Sequence, residues 1–155
     1  MRQVPEWHEF FFQIIDVCKK RSKDESSQVG SVIVGSGREI VATGYNSFPR
    51  GVDDSKSERQ QRPEKYYWFE HAERNAIYNA ARVGVSLKDC IIYIPALPCM
   101  DCARAIVQVG IKTVIIDEDE NNRWSKRPTW DEHMKRTLEL FNEAGVVVHK
   151  YKRKK

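Results

Sequence analysis

Four residues in two short stretches have the types and spacing to hold a metal ion and use it. His71-Ala72-Glu73 and Pro98-Cys99-Met100-Asp101-Cys102 each stand where an apolar helical pattern begins. Two helix amino termini can therefore point into one crevice. Cys99 and Cys102 are one turn apart, where first-turn N–H groups and the helix dipole favour thiolates. Two thiolates and a neutral imidazole neutralise a divalent zinc ion and fill three of its four tetrahedral positions. The fourth is left for water, which separates a catalytic zinc site from a structural one. Glu73 lies two residues beyond His71, where a carboxylate reaches that water without ligating, the place of a proton shuttle. Alone, Cys-x-x-Cys also suits a redox pair or half of a structural zinc site, and His-x-Glu is common by chance. Their order and location together favour catalysis. Cys18, Cys90, His8, His133 and His149 are the other candidates for a fourth ligand, and none has ligand spacing. Cys18 and Cys90 lie in apolar runs and read as small core residues.

The elements that must position these groups follow from hydrophobic periodicity. Residues 7–20 read as an amphipathic helix, with Phe10, Phe11, Ile14, Ile15, Val17 and Cys18 at helical spacing. Residues 29–34 and 40–44, joined across Gly35-Ser36-Gly37, read as a hairpin. Residues 46–65 are polar and contain Pro49, Gly51 and Pro63, which predicts a long loop, and loops of that length are commonly functional. A helix is predicted over 71–83, a buried strand over 90–94, a short helix over 100–109 and a buried strand over 113–116. A second polar insertion covers 117–127; a helix over 130–143, ended by Gly145, and a strand over 146–149 complete the chain. Tyr66, Tyr67 and Trp68, just before the first metal stretch, are expected to be packing residues. Alternation in the second half predicts parallel strands with right-handed crossovers, giving an α/β fold: a five-stranded mixed sheet with helices on both faces and its last strands parallel. We expect a single catalytic domain over residues 1–150 and a basic tail at 151–155.

Composition narrows the function classes. The chain has 155 residues and four cysteines, enough to bury a core and too few thiols for a disulfide scaffold. With 31% charged residues and no long apolar run, no membrane span is expected, and the amino terminus lacks a secretory layout. A cytoplasmic protein is the expectation. The net charge of +4 would suit a nucleic-acid binder. However, the last six residues carry five positive charges, so the rest of the chain stands at −1. No nucleic-acid polymer is expected as a partner.

Beyond the metal stretches, the chain resembles the deoxycytidylate (dCMP) deaminases of the cytidine deaminase superfamily. The likeness is carried by Arg21-Ser22-Lys23-Asp24, Ser27-Gln28-Val29-Gly30, Gly44-Tyr45-Asn46, His71-Ala72-Glu73-Arg74-Asn75-Ala76-Ile77 and Pro98-Cys99-x-x-Cys102. It continues in Gly110-Ile111-Lys112-Thr113-Val114-Ile115 and Phe141-Asn142-Glu143-Ala144-Gly145-Val146. The His-x-Glu…Pro-Cys-x-x-Cys set alone marks zinc nucleobase deaminases at large.

The resemblance implies a three-layer fold and hydrolytic deamination of dCMP to dUMP and ammonia, feeding thymidylate synthesis. It also implies one catalytic zinc per subunit on His71, Cys99 and Cys102, with Glu73 as the acid–base residue. By the same resemblance Asn46 would bond the sugar 3′-hydroxyl and the backbone at Ala72 would read the cytosine edge. For the phosphate the candidates are Lys23 and Arg21, then Arg123 and Lys126, with Trp124 able to close over base or sugar. Many relatives respond to dCTP as activator and dTTP as inhibitor, with Mg2+ accompanying the triphosphate. Here that role would fall to Tyr45, Ser47, Phe48, Arg50 and Gly51, although Ser47 stands where the family usually has glycine. The resemblance further implies a homo-oligomer, a hexamer.

Two other functions fit parts of the pattern. A tRNA-adenosine deaminase shares the zinc motif, but usually has Glu where Leu97 stands and needs a basic surface at its mouth. A zinc-stabilised binding module has no use for Glu73.

Overall fold

The central strands are near-continuous apolar runs, and the fold follows from covering both of their faces with helices. The computed structural model describes residues 1–154; Lys155, the end of the expected tail, lies outside the described residues. Its helices are α1 (Trp7–Cys18), α2 (Lys65–Trp68), α3 (Ala72–Val83), α4 (Met100–Gln108), α5 (Glu118–Ser125) and α6 (Trp130–Ala144). Its strands are β1 (Gly30–Val34), β2 (Ile40–Tyr45), β3 (Ile91–Ile94), β4 (Thr113–Asp117) and β5 (Val147–Tyr151). They form one sheet in the order β2-β1-β3-β4-β5. β1 runs antiparallel to both β2 and β3, while β3, β4 and β5 are parallel, as the alternating second half of the sequence requires.

The period of two sorts the side chains between two cores. Val32, Val34, Tyr93 and Ile115 face α1, where Phe11, Phe12 and Ile15 cover them. Ile33, Ile92, Ile94, Val114 and Ile116 face the other way, against Ala76 and Ala80 of α3, Ala103 and Ile106 of α4, and Met134 and Phe141 of α6. Each buried aliphatic or aromatic side chain contributes about 1.5–3 kcal/mol. Because β3 and β4 are covered on both faces, they read as unbroken apolar runs. α3 lies directly on β2, since a Cβ at Gly44 would stand 2.3 Å from the Ala72 carbonyl oxygen and 2.5 Å from the Ala76 nitrogen. Only glycine permits that approach.

The structure departs from the sequence reading in four places. The polar stretch expected after β4 is helix α5, started by Asp117, whose side chain accepts from the N–H groups of Asp119 and Glu120. The expected loop over 46–65 contains a 3-10 turn, Ser57–Gln60, and leads into α2. Tyr66 and Tyr67 are exposed rather than packed, at 68% and 80%; the short α2 turns both outward. Finally, β5 continues to Tyr151, and Arg153 just beyond it turns back onto α1. Arg153 reaches Glu9 at 2.9 Å and Asp16 at 2.8 Å.

Candidate active site

The two helix starts do meet. His71 is the N-cap of α3 and Cys99 the N-cap of α4, so both residues sit at the positive ends of helices. Cys102 follows one turn into α4. His71 Nδ1 stands 3.5 Å from the sulfur of Cys99 and 3.5 Å from that of Cys102. The three ligand atoms all lie within 4.8 Å of one another, and they form the one such group among the described residues. A tetrahedral zinc ion, with bonds of about 2.3 Å to sulfur and 2.0–2.1 Å to nitrogen, requires S···N edges of about 3.5 Å. The observed edges match, so these residues fit zinc without rearrangement. The other candidate ligands stand apart. His8 packs against Tyr93 and His149 on the α1 side, Cys90 is buried in the core, and Cys18 is half-exposed on α1.

Charge and burial at this centre are consistent with thiolate ligation. A hydrogen bond with Cys102 holds the Cys99 thiol down to about 3, and His71 adds to the effect. The same bond and burial push the Cys102 thiol up. His71 is raised, chiefly by its contact with Cys99. The pair therefore shares a negative charge facing an imidazole, ready to exchange protons for a cation.

Glu73, on the first turn of α3, is buried, and its Oε2 lies 3.6 Å from the Cys102 sulfur. Burial pushes its carboxyl up. A carboxyl group inside the metal triangle's reach, but outside the ligand set, is placed to hold and pass a proton.

Several supporting contacts were missed from the sequence. Arg74 donates from Nη1 to the Cys102 sulfur at 3.4 Å while its Nε is held by Glu70 at 2.5 Å. Ser31 Oγ donates to the Ala72 carbonyl at 2.8 Å, fixing the first turn of α3 to β1. Ser47 and Glu70 exchange two backbone hydrogen bonds, bringing the loop after β2 beside His71. Asn75 and Asn79 donate to the carbonyls of Tyr45 and Thr43. A 3.6-residue face bearing Asn75 and Asn79 toward β2 was the available signal.

The predicted substrate and effector residues divide differently from the expectation. Asn46 is buried, its Oδ1 accepting from the Val29 N–H and its Nδ2 donating to Asp24 and to the Ser27 carbonyl. Arg21 and Lys23 line a cavity of about 270 Å³ together with Tyr45, Ser47, Phe48, Arg50 and Gly51. None of His71, Glu73, Cys99 or Cys102 is among that cavity's lining residues. The structure thus brings the first two phosphate candidates together with the effector candidates. Lys23 pairs there with Asp54, and Arg50 donates to Asn79. On the other side, Arg123 is exposed and paired with Glu120, and Lys126 is exposed at the end of α5. Trp124 is half-buried, with the Arg127 guanidinium over its ring and Trp130 at its edge.

Comparison with known proteins adds a lineage to this geometry. A family model described as the cytidine and deoxycytidylate deaminase zinc-binding region matches residues 5–118. Human deoxycytidylate deaminase is 38% identical over 151 residues, which cover 94% of this chain and 80% of that protein. An uncharacterized deaminase encoded in the luxG 3′ region of Aliivibrio fischeri is 38% identical over 145 residues, 94% of this chain and 93% of that protein. Among solved structures, the dCMP deaminase of cyanophage S-TIM5, in complex with dCMP and dUMP, superposes with a TM-score of 0.74. That match has 24% identity and covers 97% of this chain and all of that one, which supports the fold.

Proposed function

The chain belongs to the cytidine and deoxycytidylate deaminase zinc-binding family, and on that premise we propose that it hydrolyses dCMP to dUMP and ammonia at the centre formed by His71, Cys99, Cys102 and Glu73. The observation that carries the reading is Glu73, buried and non-ligating beside a His-Cys-Cys triangle of zinc dimensions. Neither a structural zinc site nor a redox pair needs such a carboxyl group. Bound there, zinc supplies the Lewis acidity that makes hydroxide available at neutral pH. Glu73 takes a proton from the attacking water and delivers it to ring N3 as C4 is attacked; it then takes the remaining proton from the C4 hydroxyl and passes it to the amine as the C4–N4 bond breaks. The Ala72 N–H, in the first turn of α3, has no partner within its helix and is the donor for the cytosine edge. Asn46 orients the sugar, and Arg123, Trp124 and Lys126 of α5 and its end are the phosphate-side residues.

The cavity lined by Arg21, Lys23, Tyr45, Ser47, Phe48, Arg50 and Gly51 is the place for a regulatory triphosphate with its Mg2+, of the dCTP or dTTP class. Its three cationic side chains support that assignment. A homo-oligomer, a hexamer by family resemblance, is the working assembly and is tested by light scattering on the purified protein. No helix among the described residues is long and apolar enough to cross a membrane, in keeping with a cytoplasmic enzyme.

The deciding experiment compares ammonia release from dCMP, cytidine, cytosine and a tRNA anticodon stem, with and without dCTP or dTTP and Mg2+. Turnover of dCMP above the others is expected; turnover of the tRNA alone would overturn the reading. Glu73→Gln should lower kcat by about 10²–10⁴-fold while retaining zinc. Loss of the metal from that variant would show that Glu73 has a ligand role instead.

A further inference from the structure

Cys99 sits on the turn between β3 and α4, and that turn is held from outside the metal centre. Asn121 of α5 accepts from the Leu97 N–H through Oδ1 at 2.9 Å. Thr137 of α6 donates from Oγ1 to the Pro98 carbonyl at 2.9 Å. His133, one turn earlier on α6, accepts from the Met100 N–H through Nδ1 at 3.3 Å. The backbone is thus gripped at the two residues before Cys99 and at the one after it. Cys99's own carbonyl is taken by the Ala103 N–H of α4 at 2.8 Å. Asn121 and Thr137 are both buried, and the Trp130 ring packs 5.8 Å from the His133 ring. A buried polar side chain deprived of its partner costs about 1–3 kcal/mol, so these contacts fix side chain and turn alike. His71 is held differently: its N–H donates to the Glu70 carboxylate at 3.1 Å, Ser31 of β1 bonds the Ala72 carbonyl, and the Ser47–Glu70 bridge lies just before it.

From this geometry we infer that Asn121, His133 and Thr137 are positioning residues for the Cys99 sulfur, setting it where it meets His71 at zinc distance. The inference rests on the reading of His71, Cys99 and Cys102 as a zinc centre. Groups that orient metal ligands typically weigh about 10–100-fold in metal affinity, because a ligand free to swing away lets the ion leave.

The test is the rate at which the zinc-loaded full chain yields its metal to excess EDTA, followed with a colorimetric zinc indicator, with thermal melting recorded alongside. Thr137→Val and His133→Leu remove the partner atoms and keep similar bulk. Each should shorten the zinc half-life by about tenfold. Thr137→Ser and His133→Asn retain a hydroxyl and an acceptor, and should return the half-life close to that of the unaltered protein. A role in folding alone would lower the Tm and leave the half-life where it was, which would overturn the inference. His133 is half-exposed, so its variants carry the test if valine at 137 is not accommodated. His71→Ala separates the two readings. If it loses zinc while Thr137→Val and His133→Leu hold it normally, only the clamp is wrong. If His71→Ala holds zinc as tightly as the unaltered protein, the centre itself is misread and the clamp falls with it.

Discussion

Asn46 engages both hydrogens of its amide and one oxygen lone pair within the protein. What remains toward a ligand is the second lone pair of Oδ1, so Asn46 can only accept from a sugar hydroxyl. Its partner Asp24 is the anchor of this corner: it accepts from the N–H groups of Ser26 and Ser27, from the Ser26 hydroxyl, from Asn46 and from Lys65. Burial pushes the Asp24 carboxyl up, but the Lys65 ammonium and the Ser26 and Ser27 donors outweigh it and hold it below the ordinary carboxylate range. A carboxyl whose folded value is depressed contributes its stability above its unfolded value, and loses it as pH falls through the folded value. The expected acid limb therefore lies below about pH 4. Urea midpoints measured from pH 7 to pH 3 should fall steeply at the acid end for the unaltered protein. Asp24→Asn should show a shallower limb and, at pH 7, about 1–3 kcal/mol less stability, because the part-buried Lys65 loses its counter-ion and keeps only the Ser26 hydroxyl. An unchanged midpoint would mean that Lys65 finds another partner. The His71, Cys99 and Cys102 cluster, with Glu73 beside it, was legible in the sequence because type and spacing define it. Asp24 and Lys65 were not read as a pair, since 41 residues separate them.

Helices α1, α3 and α6 could be read from periodicity because each has one strongly apolar face. α5 could not: of Glu118–Ser125 only Asn121 is buried, so no apolar stripe announces it. The remaining signal was its start, Asp117 as cap with Glu120 three residues on, a capping-box spacing within a run of acidic residues. The clamp on the Cys99 turn escaped notice for a related reason. It acts on backbone groups, and backbone groups leave no mark on residue identity. The far end of the chain follows the same logic, since a run of lysine and arginine reads as a solvated tail until α1 supplies Glu9 and Asp16. Arg153 is 22% exposed and Glu9 11%, so the pairing is partly desolvated. Deleting residues 152–155 should lower stability by about 1–3 kcal/mol through the stranded Glu9 carboxylate, yet leave dCMP turnover at 25 °C near normal. Thermal melts and ammonia release on the truncated protein check both halves. A large loss of turnover would place the tail at an active site.

At the scale of the molecule, the metal centre joins helices whose other contacts run to different parts of the sheet. His71 arrives with α3 from beside β2, and Cys99 and Cys102 arrive with α4 from the end of β3. An ion held by all three is a cross-link that exists only in the folded state, so it stabilises by mass action. Chelation should lower the Tm, and restored zinc should raise it again. Binding also displaces protons from thiols, so zinc affinity should weaken as pH is lowered from 7.5 to 6. Competition with a chromogenic chelator at several pH values measures this. The same view restates the charge: the net +4 is concentrated at residues 150–155, where part of it neutralises α1.

Gly44 extends this to how the protein can be diversified. Any side chain there would press on the backbone at Ala72 and Ala76, between the proposed zinc ligand His71 and the rest of its helix. The displaced atoms are main chain, so no neighbouring rotamer can absorb the intrusion. In a saturation library selected for turnover, position 44 should return glycine alone. The exposed tips at Tyr66 and Tyr67 should accept broad replacement in the same library. An engineer seeking altered nucleotide preference would therefore leave the β2–α3 seam and the buried Asp117 and Asn121 untouched and vary the exposed positions of α5 and its end, such as Arg123 and Lys126.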